Sequence, residues 1–155
     1  MFPQLSETNP STSLSAIEDF ERERGLSLPS LYKEFLLASN GGRPEAPVFP
    51  IEGMPLNPFG SIQFFFGINN RRWPVYDLAK TNDFYAGGRI PAGIVFIACT
   101  GMGDYVCLDF RDGKDRVAFW DHRHFWGTGE WRESDLYHVA DSFAEFLASL
   151  RPDPY

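Results

Sequence analysis

The sequence predicts an α+β domain: a central antiparallel sheet flanked by helices, two of them at the N-terminus and one at the C-terminus. Three observations carry this. Two amphipathic helical patterns open the chain. An apolar, β-branched run from Ile94 to Cys99 leads into a hairpin signal between Gly103 and His122. A third apolar stripe at helical spacing, with its own cap, closes the chain after Asp141.

Residues 1–12 are rich in Pro, Ser, Thr and Asn and are expected to be loose, leaving 13–152 as one domain. Ser15 and Glu18 have capping-box spacing, so a helix should follow, with Ile17 and Phe20 inward and Glu18, Glu21 and Arg22 outward. Gly25 ends it. Pro29 suits the first turn of a second helix. There Leu28, Leu31, Tyr32, Phe35 and Leu36 form a buried stripe, and Asn40-Gly41-Gly42 stops it. Residues 43–60 are proline-rich and loop-like, with Val48 to Ile51 a candidate edge strand. Ile62 to Phe66 reads as a strand. Residues 75–85 read as a short helix containing Tyr76-Asp77-Leu78-Ala79. Ile94 to Cys99 reads as a central strand.

In the hairpin, Asp112-Gly113 is the signature of a two-residue type I′ loop, which needs positive φ at both positions. The register follows. Leu108 faces Val117, Val106 faces Phe119, Cys107 faces Ala118, Tyr105 faces Trp120, and Asp109 meets Arg116 as an opposite-charge pair. Both hairpin faces are apolar, so both should be covered. Residues 122–133 read as an aromatic loop. Ser142 and Glu145 cap the last helix, whose stripe is Phe143, Phe146, Leu147 and Leu150.

A chain of 155 residues with 15 phenylalanines can bury roughly two-thirds of its unfolded surface without metals or disulfides. Cys99 and Cys107 lie in apolar runs and read as buried thiols of a cytoplasmic protein. No leader or membrane-spanning segment is visible. The net charge is −7, which repels nucleic acid and anionic membrane and attracts basic partners. The charge is uneven: residues 1–52 carry four basic and eight acidic side chains, 53–103 four and two, and 104–145 five and ten.

No phosphate-binding loop, dinucleotide glycine pattern, zinc-protease motif or nucleophile elbow is present. His122 and His124 would share one side of an extended chain, near Asp121 and Asp104. Their spacing matches no metal-ligand pattern, so neither metal nor cofactor is expected. Asp104 is expected to cap the amides of the Gly101–Gly103 turn. Asp109, Asp112, Gly113 and Asp115 have the wrong spacing for a calcium loop, because Arg111 would have to ligate. No residue is assigned a catalytic role.

The run Ile17-x-x-Phe20-Glu21-x-x-x-Gly25-x-x-Leu28-Pro29-x-x-Tyr32-Lys33-x-Phe35-Leu36-Leu37-x-x-Asn40-Gly41-Gly42 resembles the opening of the SUKH superfamily. Phe65-Phe66-Gly67, Arg89-Ile90-Pro91, Ile97-Ala98, Gly103-Asp104 through Phe119-Trp120-Asp121-His122, and Val139-Ala140-Asp141-Ser142-Phe143-x-x-Phe146-Leu147 continue the likeness in order. That superfamily includes fungal cell-wall-synthesis regulators and many bacterial immunity proteins. The resemblance implies an α+β fold, no enzymatic activity and protein partners. In bacteria these are toxins exchanged between cells, often nucleases or deaminases. The shared residues read as fold determinants; the 43–60 and 122–133 segments depart from the pattern.

The first reading is therefore a non-enzymatic immunity protein that neutralises a nuclease-like toxin by stoichiometric binding. The alternative is a regulatory or adaptor domain acting on endogenous partners. The candidate partner-binding residues are Trp126 and Trp131 as aromatic anchors, with Asp121, Glu130 and Glu133 as an acidic rim for a basic toxin. The same tryptophans could instead seal the second face of the sheet.

Overall fold

The computed structural model describes residues 2–55 and 57–155. Met1 and Leu56, which belong to the segments expected to be loose and loop-rich, lie outside the described residues. The chain forms β1 (Leu5–Ser6), α1 (Leu14–Arg24), α2 (Ser30–Ala38), β2 (Arg43–Pro44), β3 (Val48–Pro50), β4 (Phe59–Phe65), α3 (Leu78–Phe84), β5 (Ile94–Thr100), β6 (Tyr105–Asp109), β7 (Arg116–Trp120), α4 (Arg123–Thr128), β8 (Leu136–Ala140) and α5 (Phe143–Ser149). Strands β3 to β8 make one six-stranded antiparallel sheet in chain order, and β1 pairs with β2.

Alternation along the strands sorts side chains onto two apolar faces. One row crosses the sheet through Phe65, Ala98, Val106 and Phe119. It lies under α2 and α5: the Phe35 ring is 5.1 Å from Phe65, and Phe143 is 5.5 Å from Phe35. The neighbouring row runs through Phe64, Cys99, Tyr105 and Trp120 on the opposite face. It is covered by Trp73 and Tyr76, by Tyr85 at the end of α3, and by Phe125 and Trp131. Helices thus flank both faces, as two apolar faces require. Cys99 and Cys107 are buried; burial pushes the Cys99 thiol up to about 12 and Cys107 well above its ordinary value.

The hairpin register is the one expected, from Tyr105–Trp120 through Asp109–Arg116. Its turn is not. Gly113 alone has positive φ, at 83°, and its N–H donates to the Phe110 carbonyl. A type I′ loop needs positive φ at Asp112 as well; the chain instead leaves the ladder at Asp109 and turns over six residues, keeping the register while relaxing the loop.

Several boundaries also moved. Ser13, not Ser15, caps α1, its hydroxyl accepting from the Ala16 N–H at 3.1 Å. Gly25 ends that helix with φ 62°. Glu21, expected outward, folds back: its carboxylate accepts from the Leu28 N–H at 2.7 Å and lies 3.6 Å from Lys33, clamping the α1–α2 connection. Asp77 does not continue a helix from Tyr76. A 3₁₀ turn over Pro74–Tyr76 ends there, and Asp77 caps α3 by accepting from the Lys80 N–H at 3.0 Å. Residues 122–133, read as a loop, contain α4, ended by Gly129 with φ 75°. Strand β8 was not anticipated, because Leu136-Tyr137-His138-Val139-Ala140 neither alternates cleanly nor carries turn residues.

The segment before Ser13 is tied to the body. Leu5–Ser6 pairs with Arg43–Pro44, and Asn9 donates to the Asn40 carbonyl at 2.9 Å. Asn40 is only 3 % exposed. Its amide donates to the carbonyls of Ile68 at 2.8 Å and Pro10 at 3.0 Å, and its side-chain oxygen accepts from the Ile68 N–H at 2.7 Å. A Cβ on Gly67 would lie 2.4 Å from the Asn40 carbonyl, and one on Gly41 2.8 Å from the Gly67 nitrogen, so only glycines allow this approach. Both sheet edges are blocked at one point. Val48 exchanges two 2.9 Å backbone bonds with Arg151, and the His138 carbonyl of β8 accepts from the Glu52 N–H at 3.0 Å.

Two predictions follow from burial and hydrogen bonding. Phe35→Ala and Phe119→Ala should each cost roughly 3–5 kcal/mol in denaturant melts, the penalty of emptying a packed aromatic site; a loss under about 1 kcal/mol would mean the stripe or the register is misassigned. Asn40→Ala should cost at least about 1–3 kcal/mol, because it strands the buried N–H and C=O of Ile68.

Candidate protein-binding site

The second sheet face ends in an aromatic shelf between α3 and α4. Phe96, Tyr105, Trp120 and Trp131 form a stacked series, with centroids 4.8 Å apart for Phe96–Tyr105, 5.1 Å for Phe96–Trp120 and 5.8 Å for Trp120–Trp131. Tyr85 stands edge-on to this series, buried, with its hydroxyl at the rim. There it accepts the Trp126 indole N–H at 3.1 Å. The Trp126 ring lies nearly parallel to Phe84 at 6.0 Å. Trp126 is 60 % exposed, Phe84 55 % and Val75 70 %. Pro74, Val75, Lys80, Phe84, Tyr105 and Trp126 line a shallow hollow of about 330 Å³. An exposed aromatic pair, braced from beneath and already satisfied at its one polar atom, is a candidate contact surface.

The five candidate residues from the sequence fare differently. Trp126 is exposed on the shelf beside Phe84. Glu130 is exposed just beyond α4. Trp131 is half-buried; its ring stacks on Trp120, sealing the sheet, while its N–H donates to Glu133 at 3.3 Å. Asp121 is only 6 % exposed and is gripped by Arg123 at 2.6 and 3.0 Å. Glu133 is exposed but takes both arms of Arg111, at 2.9 and 2.7 Å, and Arg111 also holds Asp109. The carboxylates at Asp121 and Glu133 therefore spend their charge inside the molecule.

Hydrogen bonds from Arg123 hold the Asp121 carboxyl below its ordinary range, and those from Arg111 do the same for Glu133. For Asp109, burial alone would raise the value, but the bonds and charge of Arg111 win and the net shift is downward. The exposed cations are elsewhere. Arg89 lies over the rings of Phe84 at 5.4 Å and Phe125 at 5.1 Å, and Arg72 over Trp73 at 4.2 Å. Sequence reading missed Val75, Phe84, Lys80 and Arg89, because an isolated Phe in a helical segment reads as core and lone cations as solvated surface.

Asp104, Asp121 and His122 come within 4.8 Å of one another. Asp104 does not cap the Gly101–Gly103 turn. Its carboxylate takes the His122 backbone N–H at 3.2 Å and lies 2.6 Å from His122 Nδ1. The turn is served by Thr100, whose hydroxyl accepts from the Met102 N–H at 3.3 Å. His124 is not in the group, because α4 replaces the extended chain that would have aligned it with His122. Each carboxylate already has a basic partner, so the cluster joins the start of α4 to the hairpin.

The three depressed carboxyl values set an acid limb. A folded value below the unfolded one contributes stability that is complete above the ordinary value and is lost as pH falls through the folded value. Urea midpoints should therefore drop as pH falls below about 4.5, the ordinary value of Glu133. Arg111→Ala, which frees Asp109 and Glu133, should flatten that limb; an unchanged slope would show these pairs to be silent.

Comparison with known proteins agrees with this architecture. Residues 11–149 match the model of the SMI1 / KNR4 family (SUKH-1). The chain is also 29 % identical over 153 residues to the SPbeta prophage-derived uncharacterized protein YokK of Bacillus subtilis (strain 168), covering 89 % of this chain and 74 % of that protein. With the family pattern spanning both helical layers and the whole six-stranded sheet, the chain belongs to the SMI1 / KNR4 family (SUKH-1).

Proposed function

We propose that this protein works by binding rather than catalysis, and that its partner is a toxin which it neutralises in a stoichiometric complex in the cytoplasm. The observation that carries the reading is the Phe84–Trp126 pair. Trp126 presents a large apolar surface to solvent while its indole N–H is held by Tyr85 and its ring by Phe84. Little conformational freedom is left to lose on association, the condition under which an aromatic anchor contributes most. The family supports the reading, because it is generally linked to immunity proteins. The engagement of Asp104 with His122 and of Asp121 with Arg123 supports it too, since both carboxylates act as local braces. Among the described residues no helix is long and apolar enough to cross a membrane.

The test uses a toxin domain encoded by an adjacent gene. Co-expression should protect cells from it, and the purified proteins should form a complex of fixed stoichiometry. Trp126→Ala should speed dissociation by about 30-fold, the loss of a contact worth about 2 kcal/mol, with association little changed. Absence of both complex and protection would defeat the reading and favour regulation of an endogenous partner.

A further inference from the structure

We propose that the face built on Val75, Phe84 and Trp126 receives an acidic protein surface, not the basic one that the overall charge of −7 suggests. This deepens the reading that the face binds protein, and it rests on where the charges sit. Lys80 lines the hollow with Phe84 and Trp126, and Arg89 lies against the Phe84 ring while donating to the Phe84 carbonyl at 2.8 Å. Arg72 stacks on Trp73, just before Pro74 and Val75. Among the described residues none of these three cations forms an ion pair with a carboxylate.

Of the nearby acids, Glu130 just beyond α4 stays exposed, and the others are consumed. Between residues 53 and 103 the acidic side chains are Asp77 and Asp83. Asp77 is buried, accepting from the backbone N–H groups of Lys80 and Asn70. Asp83 is turned to Arg24, which it meets at 2.9 and 2.8 Å. Across the shelf, Asp104 is taken by His122 and Asp121 by Arg123.

The exposed rings thus have Lys80 and Arg89 beside them, neither paired with a carboxylate, on an otherwise acidic molecule. At physiological salt, exposed charges act over about 8 Å, so a docked partner responds to this rim and not to the distant acids. Guanidinium and ammonium groups without a carboxylate partner suit the carboxylates of an incoming surface. A nucleic acid would offer anions too, but its long charged backbone would meet the remaining acidic surface, whereas a protein can present a local acidic patch around an apolar centre.

The experiment uses the full chain and defined probes. Two synthetic peptides of equal length and identical leucine content are compared, one carrying glutamates and one lysines, together with a single-stranded oligothymidine. Binding is followed by the indole N–H resonances, with Trp126 assigned through Trp126→Phe. The glutamate peptide should shift the Trp126 signal and bind more weakly as salt is raised. Lys80→Glu with Arg89→Glu should weaken it by about tenfold or more, whereas Glu130→Lys should leave it unchanged or tighten it. All of these positions are exposed, and melting curves confirm folding. Tighter binding of the lysine peptide or of oligothymidine would overturn the inference, as would no binding by either peptide. These readouts do not depend on the toxin complex, so a face that prefers the glutamate peptide without a toxin complex refutes only the toxin reading, and the reverse refutes only the acidic partner.

Discussion

The approach of Asn40-Gly41-Gly42 to Gly67 is the joint on which both layers of the molecule are set. The chain leaving α2 exchanges hydrogen bonds with Phe65 through Gly42, at 3.0 and 2.8 Å, so the helical layer is continued into the sheet. Asn40 closes the gap from above, supplying donors and an acceptor to Ile68 and Pro10 where regular pairing has ended. Gly67 in turn pairs with the segment beside Asp77, accepting from the Leu78 N–H at 2.9 Å. One crowded point thus ties together the N-terminal segment, the end of α2, the end of β4 and the start of α3. Backbones this close tolerate no Cβ, and the amide groups buried there must find partners.

From that joint the two sheet faces acquire different tasks. The face under α2 and α5 is filled by phenylalanines and aliphatic side chains. The other face is covered by shorter pieces: a 3₁₀ turn, α3 and α4. Short covers leave gaps at their seams, and the seam between α3 and α4 is where Phe84 and Trp126 emerge. The aromatic series from Phe96 to Trp131 stiffens that seam from below, and Tyr85 carries the link from core to surface through one hydrogen bond. Rigidity at the exposed anchor is thus a property of the sheet beneath it. The ion pairs of Arg111 and Arg123 brace the rest of the α4–β8 region and, in doing so, neutralise Asp109, Asp121 and Glu133.

Much of this was legible in the residues. The stripes of α1, α2 and α5, the Gly25 stop, the Ser142 cap and the β6–β7 register all follow from local patterns, where each residue's neighbours in the chain are also its neighbours in space. The misreadings lie where that stops being true. Ser13 and Ser15 are equal candidates for a cap until the preceding chain is held. Asp112-Gly113 favours a tight loop, but a wider turn keeps the same register. The aromatic segment at 122–133 is interrupted by Gly127 and Gly129 and so does not announce a helix, and α4 forms because Trp120 and Tyr85 offer Phe125 a place to pack.

The sequence by itself determined the fold class, the two apolar faces, the stripes and the family resemblance, because periodicity and caps are short-range physics. It also determined the net charge of −7, but not where that charge is available. Only the tertiary structure decided that Asp121 and Glu133 are neutralised by Arg123 and Arg111, that Trp131 seals the sheet while Trp126 faces solvent, and that Lys80 and Arg89 come to rim the exposed rings. Ion pairing and side-chain exposure depend on which distant segments meet, and in a folded chain that is set by the closing of long loops, not by composition.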